Sequence, residues 1–272
     1  ILQAIEEYKP TVWPSVPLWM KQIANKEEYQ KYNIKSLKVI TCGSAPLPVD
    51  VIHKVEALTG AVITEGYGMT ETVNTIAING CKYRRVGTVG VVNPNIEYLI
   101  VDQESGKEVV EDGEAGEIIC RGECVMKEYW NNPTETAHAI RDGWLYTGDI
   151  GRIDEDGYLI ILDRKKDLII TSGLNVFPSE LESVAITAPN VADAIAIGIP
   201  DERRGEVPAI FLQPEAGTTV DLAKVEQICQ EKLSRFKVPK KYYVIDVIPK
   251  TKNRKPDRKA VKKMYIEHYF DN

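Results

Sequence analysis

Apolar and polar positions in the first part of the chain follow the pattern of a β-α-β unit. The apolar run LKVITC ends at Cys42 and is followed by a glycine turn and a helical period from Pro48 to Leu58. Gly60 closes that helix, and the next apolar run, AVITE, ends at Glu65. Strands joined through one helix pair in parallel, so the pattern predicts an α/β unit.

The pattern of apolar positions then changes to that of short strands in which apolar and polar residues alternate. From residue 86 to residue 162 these strands are separated by Gly, Asp and Asn turns, which predicts a small antiparallel lobe or β-barrel. A charged segment, residues 163–167, precedes alternating helices and strands that predict a compact α+β domain. We expect the boundary at this segment, with one domain over residues 1–165 and a second over residues 166–272.

Length and composition are those of a globular protein. The 272 residues, 43% of them hydrophobic, provide cores for about two domains and exclude disordered, collagen-like and disulfide-scaffold classes. No run reaches the ~18 uncharged apolar residues of a membrane span, and no signal peptide is recognisable. We therefore expect a cytoplasmic protein without a transmembrane segment. The chain begins at Ile1 within a helical pattern, which suggests the continuation of a longer polypeptide.

Charge is unevenly distributed behind a net value of −6. Residues 1–163 carry 15 Lys and Arg against 25 Asp and Glu, whereas residues 164–272 carry 19 against 15. Thirteen of the cations lie within residues 232–263. This density indicates either a solvated surface or a polyanionic ligand. We expect no nucleic-acid partner, because the pattern offers no aromatic stacking platform.

Two glycine-rich segments carry the candidate chemistry. Gly66-Tyr67-Gly68-Met69-Thr70-Glu71 follows a strand directly, so we expect a sharp turn at the carboxyl end of that strand, where open α/β sheets bind ligands. Residues 143–149 (GWLYTGD) set the carboxylate of Asp149 in a second glycine-rich turn, which suits the vicinal hydroxyls of a sugar. Either segment could instead be an ordinary turn, with Asp149 as its cap.

These segments, in this order, resemble the adenylate-forming superfamily of acyl-CoA synthetases, luciferases and peptide-synthetase adenylation domains. The resemblance extends to DRKKD and PKTKNRK, and further matching segments are residues 43–47, 116–122, 129–133 and 172–180. It implies the carboxyl-terminal half of such an enzyme: the end of the large AMP-binding domain, with its β-α-β unit and β-barrel lobe, and a small mobile domain.

The resemblance implies a two-step reaction. A carboxylate and ATP give an acyl-adenylate and pyrophosphate, and a thiol then displaces AMP. The first step brings an anion onto a triphosphate, so it needs positive charge that acts most strongly in the transition state. ATP or AMP, Mg²⁺ and coenzyme A are the implied cofactors, and a small carboxylic acid is the implied substrate.

The resemblance also assigns roles in adenylation. Thr70 and Glu71 would hold phosphate and Mg²⁺, and Lys255 would reach the carboxylate and the α-phosphate. The residues implied around the nucleotide are Gly43, Ser44 and Ala45 beside the base, Gly66, Tyr67, Gly68 and Met69 with the tyrosine against the adenine, Asp149 at the ribose hydroxyls, and Arg164 on the ribose or phosphate side.

Two steps on one site imply two arrangements of the small domain. The resemblance places the hinge at Lys166. In the second arrangement, the loop with Ser172 and Gly173 would face the adenylate in place of Lys255, and Lys237 would meet the phosphates of coenzyme A.

Two departures limit the resemblance. Arg254 stands where the family usually has glycine before the catalytic lysine. The phosphate loop of the family, together with everything upstream of it, does not occur in this sequence. We therefore expect no activity from the chain alone and name the missing amino-terminal half as a partner, with a homodimer left open.

The substrate is expected to have an uncharged acyl tail. Residues 13–17 (WPSVP) lack the acid that the amino-acid-activating branch uses for an ammonium group, and Met69 stands where that branch has proline. A CoA ligase for fatty or aryl acids is the first interpretation. A luciferase-like or carrier-protein-loading enzyme is the second, and a non-catalytic, nucleotide-binding interaction fragment is the third.

Overall fold

A computed structural model describes residues 1–25, 27–73, 75–251 and 255–269. The chain divides into two compact units, Ile1–Ile161 and Leu162–Asn272. The expected domain boundary after residue 165 and the hinge at Lys166 remain predictions. Within the described residues, no helix has the length and apolarity needed to cross a bilayer.

The first sheet is an α/β layer with an antiparallel edge. Its elements are α1 (Leu2–Tyr8), β1 (Val12–Ser15), α2 (Pro17–Asn25), α3 (Glu27–Gln30), β2 (Val39–Cys42), α4 (Val49–Thr59), β3 (Val62–Gly68), β4 (Thr75–Ile78) and β5 (Val91–Val92). The strand order is β1-β2-β3-β4-β5, parallel from β1 to β3 and antiparallel from β3 to β5. Helix α4 buries Val51, Ile52 and Val55 in a core shared with Ile40 and Ile63 of the sheet. The predicted β-α-β unit is confirmed.

The second sheet is the antiparallel lobe, and its last strand runs three residues past Ile161. Its elements are β6 (Glu97–Val101), β7 (Gly116–Arg121), α5 (Pro133–Ala139), β8 (Ile140–Arg141), β9 (Trp144–Ile153) and β10 (Leu159–Arg164). The strands follow the path β10-β9-β7-β6, and β8 pairs with β9. Backbone hydrogen bonds from Val89 to Leu159 and from Leu159 to Gly90 connect β10 to the residues just before β5.

The second unit is an α+β fold with apolar clusters on both faces of its sheet. Its elements are β11 (Ile169–Thr171), β12 (Leu174–Val176), α6 (Pro178–Ala185), β13 (Val191–Asp201), β14 (Gly205–Pro214), α7 (Leu222–Lys232), β15 (Lys241–Val244) and α8 (Arg258–His268). The strand order is β12-β11-β14-β13, with β15 beside β14. Ala194 and Ala196 pack with α6 and α7, whereas Ile195 and Ile197 pack with α8. Burial on both faces explains the almost continuous apolar sequence of β13.

Helix α8 and the hairpin of β11 and β12 were missed by the sequence analysis. The buried positions of α8 are Val261 and Tyr265, four residues apart, and Met264 packs against the same core. Lysines surround both positions, so the helical period is masked by a basic stretch of sequence.

Candidate functional site

Two hydrogen bonds between side chains join distant parts of the first unit at the end of β3. The hydroxyl of Tyr67 donates to Oδ2 of Asp149 at 2.8 Å, across 82 residues of sequence. The hydroxyl of Tyr129 donates to Oε1 of Glu71 at 2.7 Å, and the amide of Met126 donates to the carbonyl of Glu71 at 2.7 Å. The glycine-rich segment of residues 66–71 is therefore bonded both to β9 and to residues 126–129.

The prediction of a sharp turn beginning at Gly66 is wrong. Residues 66–68 continue β3, with Gly66 opposite Ile78 and Tyr67 opposite Ala77 in β4. A Cβ atom at position 66 would lie 3.2 Å from Cγ2 of Thr75, so glycine permits a close approach of these strands. The chain turns after β3, at the short 3₁₀ helix Thr70–Thr72.

Asp149 also lies in a strand and not in the predicted glycine-rich turn. The turn before β9 is made by Asp142 and Gly143, which have φ values of 50° and 79°. Asp149 is 5% exposed, and its amide donates to Oγ1 of Thr147 at 3.1 Å. Burial, followed by the charge of Asp149, raises the pKa of Tyr67 well above its usual value. The phenol therefore stays a donor, and the carboxylate is an acceptor fixed in direction by the strand.

Tyr129 is a site residue that the sequence analysis did not select. Its amide donates to Oγ1 of Thr136 at 2.9 Å in α5, and the side chain of Asn132 caps that helix. Burial and then the bond to Glu71 raise the pKa of Tyr129 to about 12, which keeps its hydroxyl protonated near neutral pH. The segment YWNNP matches the family and so indicates this position. It does not predict that Tyr129 bonds to Glu71, which lies 58 residues away in sequence.

Glu71 has the chemistry of a Mg²⁺ ligand for a metal that arrives with phosphates. Thr70 is exposed beside it at the start of the 3₁₀ helix. Protein sites commonly hold Mg²⁺ through one or two carboxylates together with substrate phosphates and water. The described part of the chain contains no cluster of three or more His, Cys, Asp or Glu able to hold a metal by itself. Glu71 therefore fits an ion that it would share with substrate phosphates.

The loop of residues 43–47 lies beside the same strand end. It follows β2, which pairs in parallel with β3 so that Cys42 lies opposite Glu65. Ser44 and Ala45 are exposed, and Ser44 has a φ of 72°. The amide of Leu47 donates to Oε1 of Glu65 at 3.4 Å, and a Cβ atom on Gly43 would lie 3.8 Å from the carbonyl oxygen of Gly66. Both predicted nucleotide segments of the first unit thus share one edge of the sheet.

The remaining predicted residues all belong to the second unit. Arg164 is the exposed last residue of β10, and Lys166 is exposed in the 3₁₀ helix Lys165–Asp167. Ser172 and Gly173 form the two-residue turn between β11 and β12, with φ values of 51° and 79°. Positive φ at both positions is the geometry of a type I′ hairpin turn.

Lys237 is engaged within its own unit. Its ammonium lies 2.9 Å and 2.8 Å from the two carboxylate oxygens of Glu180 in α6. The contact with coenzyme A phosphates remains a prediction, and in this arrangement a phosphate would have to compete with Glu180.

Lys255 is exposed in the loop before α8. Its amide donates to Oγ1 of Thr251 at 3.2 Å, and its carbonyl accepts from the amide of Thr251 at 2.8 Å. Arg254, at the position where the family usually has glycine, lies outside the described residues.

Two stretches of the chain match known protein families. Residues 1–130 match the family described as AMP-binding enzyme, and residues 180–255 match the AMP-binding enzyme C-terminal domain. The chain belongs to the AMP-binding enzyme family. The resemblance to adenylate-forming enzymes and the expected fold class are both confirmed.

Individual relatives are CoA ligases by name. The long-chain-fatty-acid–CoA ligase of Bacillus subtilis (strain 168) is 38% identical over 92% of this chain and 45% of its own length. 4-Coumarate–CoA ligase 2 of Nicotiana tabacum is 36% identical over 96% of this chain and 49% of its own length. Among solved structures, ATP-bound MatB from Rhodopseudomonas palustris has a TM-score of 0.89 at 33% identity, over 99% of this chain and 54% of that one. The chain spans about half the length of these relatives.

We predict that Glu65 makes the stability of this site depend on pH. Burial, opposed by the Leu47 amide and by Arg84, raises the pKa of Glu65 from 4.5 to about 7. Because the pKa is raised in the folded state, the Glu65 carboxyl contributes stability below pH 4.5. This contribution is lost as the pH rises through 7. Between pH 5 and pH 8, wild type should lose on the order of 2 kcal/mol of unfolding free energy relative to Glu65→Gln, measured by urea denaturation. Parallel pH curves for the two proteins would contradict this assignment.

Proposed function

We propose that this chain supplies the nucleotide-binding and carboxyl-activating residues of an AMP-forming acyl-CoA ligase. The observation that carries the proposal is the junction at the end of β3, where Tyr67 holds Asp149 and Tyr129 holds Glu71. Two carboxylates are thereby oriented by phenol donors beside a glycine-rich strand end. Family membership and the names of the relatives support the same activity.

In the proposed complex, AMP lies across the shared edge of the first sheet. The base contacts residues 43–45 and 66–69, and the ribose hydroxyls donate to Asp149. Tyr67 has two roles, because its ring faces the adenine while its hydroxyl fixes the direction of the carboxylate. Arg164 adds positive charge on the ribose or phosphate side.

The first chemical step forms an acyl-adenylate. A carboxylate oxygen of the acid bonds to the α-phosphorus of ATP, the bond from that phosphorus to the bridging oxygen breaks, and pyrophosphate leaves. Thr70 and Glu71 would hold the phosphates and the Mg²⁺ that accompanies them, and the ion would supply neutralising charge. The ammonium of Lys255 contacts the carboxylate and the α-phosphate, where negative charge accumulates in the transition state.

The second step transfers the acyl group to coenzyme A. The thiol sulfur bonds to the acyl carbon, the bond from that carbon to the phosphate oxygen breaks, AMP leaves, and the thiol proton passes to solvent. We assign Ser172 and Gly173 to this step, with Lys237 at the phosphates of coenzyme A and Lys166 as the hinge between the two arrangements.

The proposed substrate is a fatty or aryl acid. Residues 13–17 form β1 and the start of α2 and contain no acid, which fits an uncharged tail better than an amino acid. A luciferase-like or carrier-loading enzyme predicts the same adenylate but no dependence of product formation on coenzyme A. A non-catalytic interaction fragment predicts nucleotide binding without turnover.

Asp149→Ala should weaken the binding of AMP and of ATP by similar factors. Loss of hydrogen bonds to a charged group costs about 1.5–3 kcal/mol, or about 10- to 150-fold in the dissociation constant. The dissociation constant is measured by calorimetry with the 272-residue chain. The matched control is Asp156→Ala, which removes an exposed carboxylate just beyond β9. The affinity for deoxyribose analogues should change much less on substitution of Asp149. An unaltered dissociation constant for AMP would exclude Asp149 from the site.

Lys255→Ala should slow adenylation and spare thioester formation. Because the chain spans about half the length of its relatives, the assay uses a ligase in which this chain is joined to the part of the Bacillus subtilis relative that it does not cover. With fatty and aryl acids, pyrophosphate release should fall about 10²- to 10³-fold, because the lost charge acts in the transition state. Thioester formation from supplied acyl-adenylate should change less than about threefold.

The control for this variant is Lys259→Ala, which removes an exposed lysine of α8. It should leave both half-reactions intact. Equal damage to both half-reactions by Lys255→Ala would show that this lysine has been assigned the wrong role.

A further inference from the structure

Lys255 lies in a loop whose base is closed by backbone contacts. Lys250 and Pro256 form a β-bridge, and the amide of Thr251 donates to the carbonyl of Lys255 at 2.8 Å. The amide of Asp257 donates to the carbonyl of Pro249 at 2.9 Å. The two ends of the loop are therefore held next to each other.

Ion pairs attach both ends of this loop to the body of the second unit. Before the loop, Nζ of Lys250 lies 3.3 Å from Oδ2 of Asp193 in β13, in a partly exposed pair. After the loop, Nη2 of Arg258 lies 2.8 Å from Oε1 of Glu182 in α6, where the two side chains are only 15% and 18% exposed. The second attachment is the more buried one, and it starts three residues after Lys255.

Further hydrogen bonds hold Glu182 and the helix that carries it. The amide of Ala196 in β13 donates to its Oε1 at 2.8 Å. Earlier in the same helix, Ser179 donates its amide to Oδ2 of Asp163 at 2.8 Å and its hydroxyl to the carbonyl of Leu162 at 2.6 Å. Helix α6 thus connects residues 162–163 to the base of the Lys255 loop.

The pair of Glu182 and Arg258 defines geometry more than it adds stability. Burial raises the pKa of Glu182 to about 7, even though Arg258 and the Ala196 amide act in the opposite direction. Within the described residues, Nε of Arg258 is buried without a hydrogen-bond partner. Buried ion pairs of this kind are often matched in stability by apolar replacements, yet they hold two elements in one relative position.

We propose that Glu182 and Arg258 are positioning residues for Lys255, because their ion pair fixes the start of α8 and with it the loop that carries the lysine. The inference rests on the proposed role of Lys255 in adenylation. A charge that acts in the transition state must be placed to within a fraction of an ångström, and an exposed loop needs such an anchor.

The first test measures the anchor directly in the 272-residue chain. Glu182→Gln keeps the shape of the side chain and removes its charge. Amide hydrogen exchange at Thr251 and Asp257 should become at least tenfold faster, whereas amides in the β13–β14 hairpin keep their rates. The matched control is Lys263→Met, which removes an exposed ion pair with Glu267 in α8. It should leave the exchange rates of all these amides unchanged. Unaltered exchange at Thr251 and Asp257 in Glu182→Gln would overturn the proposal.

The second test measures the consequence for catalysis in the joined ligase described above. Glu182→Gln and Arg258→Met should each slow adenylation at least tenfold and change thioester formation from supplied acyl-adenylate less than twofold. In a Lys255→Ala background, the same substitutions should have less than a twofold further effect, because they act through the lysine. Equal effects with and without Lys255 would overturn the proposal. A Lys255→Ala variant with full adenylation activity would instead overturn the proposed function, while the exchange experiment would still report on the anchor.

Discussion

The hydrogen bond between Tyr67 and Asp149 is the interaction on which the first unit's site depends. It connects the last residues of β3 in the α/β sheet to the middle of β9 in the antiparallel lobe. Both residues are at most 9% exposed, and a hydrogen bond to a charged group contributes about 1.5–3 kcal/mol. Thr70 and Glu71 follow Tyr67 by three and four residues, so this bond also fixes the strand end from which they extend.

Much of the fold could be predicted because hydrophobic periodicity is a local property. The β-α-β unit is read from the helical period of α4 between two apolar runs, and Gly60, with its φ of 73°, ends that helix. Pairing between sequence-distant strands is not local. The antiparallel partner of β3 is β4, and this pairing extends β3 through two glycines that otherwise indicate a turn.

The candidate site was predicted in composition but not in its contacts. Asp149 and Glu71 are recognisable from their segments, whereas their phenol donors lie 82 and 58 residues away. The ion pair between Lys237 and Glu180 could not be predicted from sequence either, because it depends on how α6 packs in the second unit. Sequence identifies which groups carry the chemistry, and the fold determines which groups hold them in position.

We propose that residues 43–47 and 66–71 form one nucleotide surface together with Asp149. This surface can be tested by photolabelling of the 272-residue chain with 8-azido-AMP, followed by peptide mapping. The label should fall on residues 43–47 or on Tyr67, and unmodified AMP should displace it. Displaceable labelling that falls instead among the lysines of residues 232–263 would contradict it.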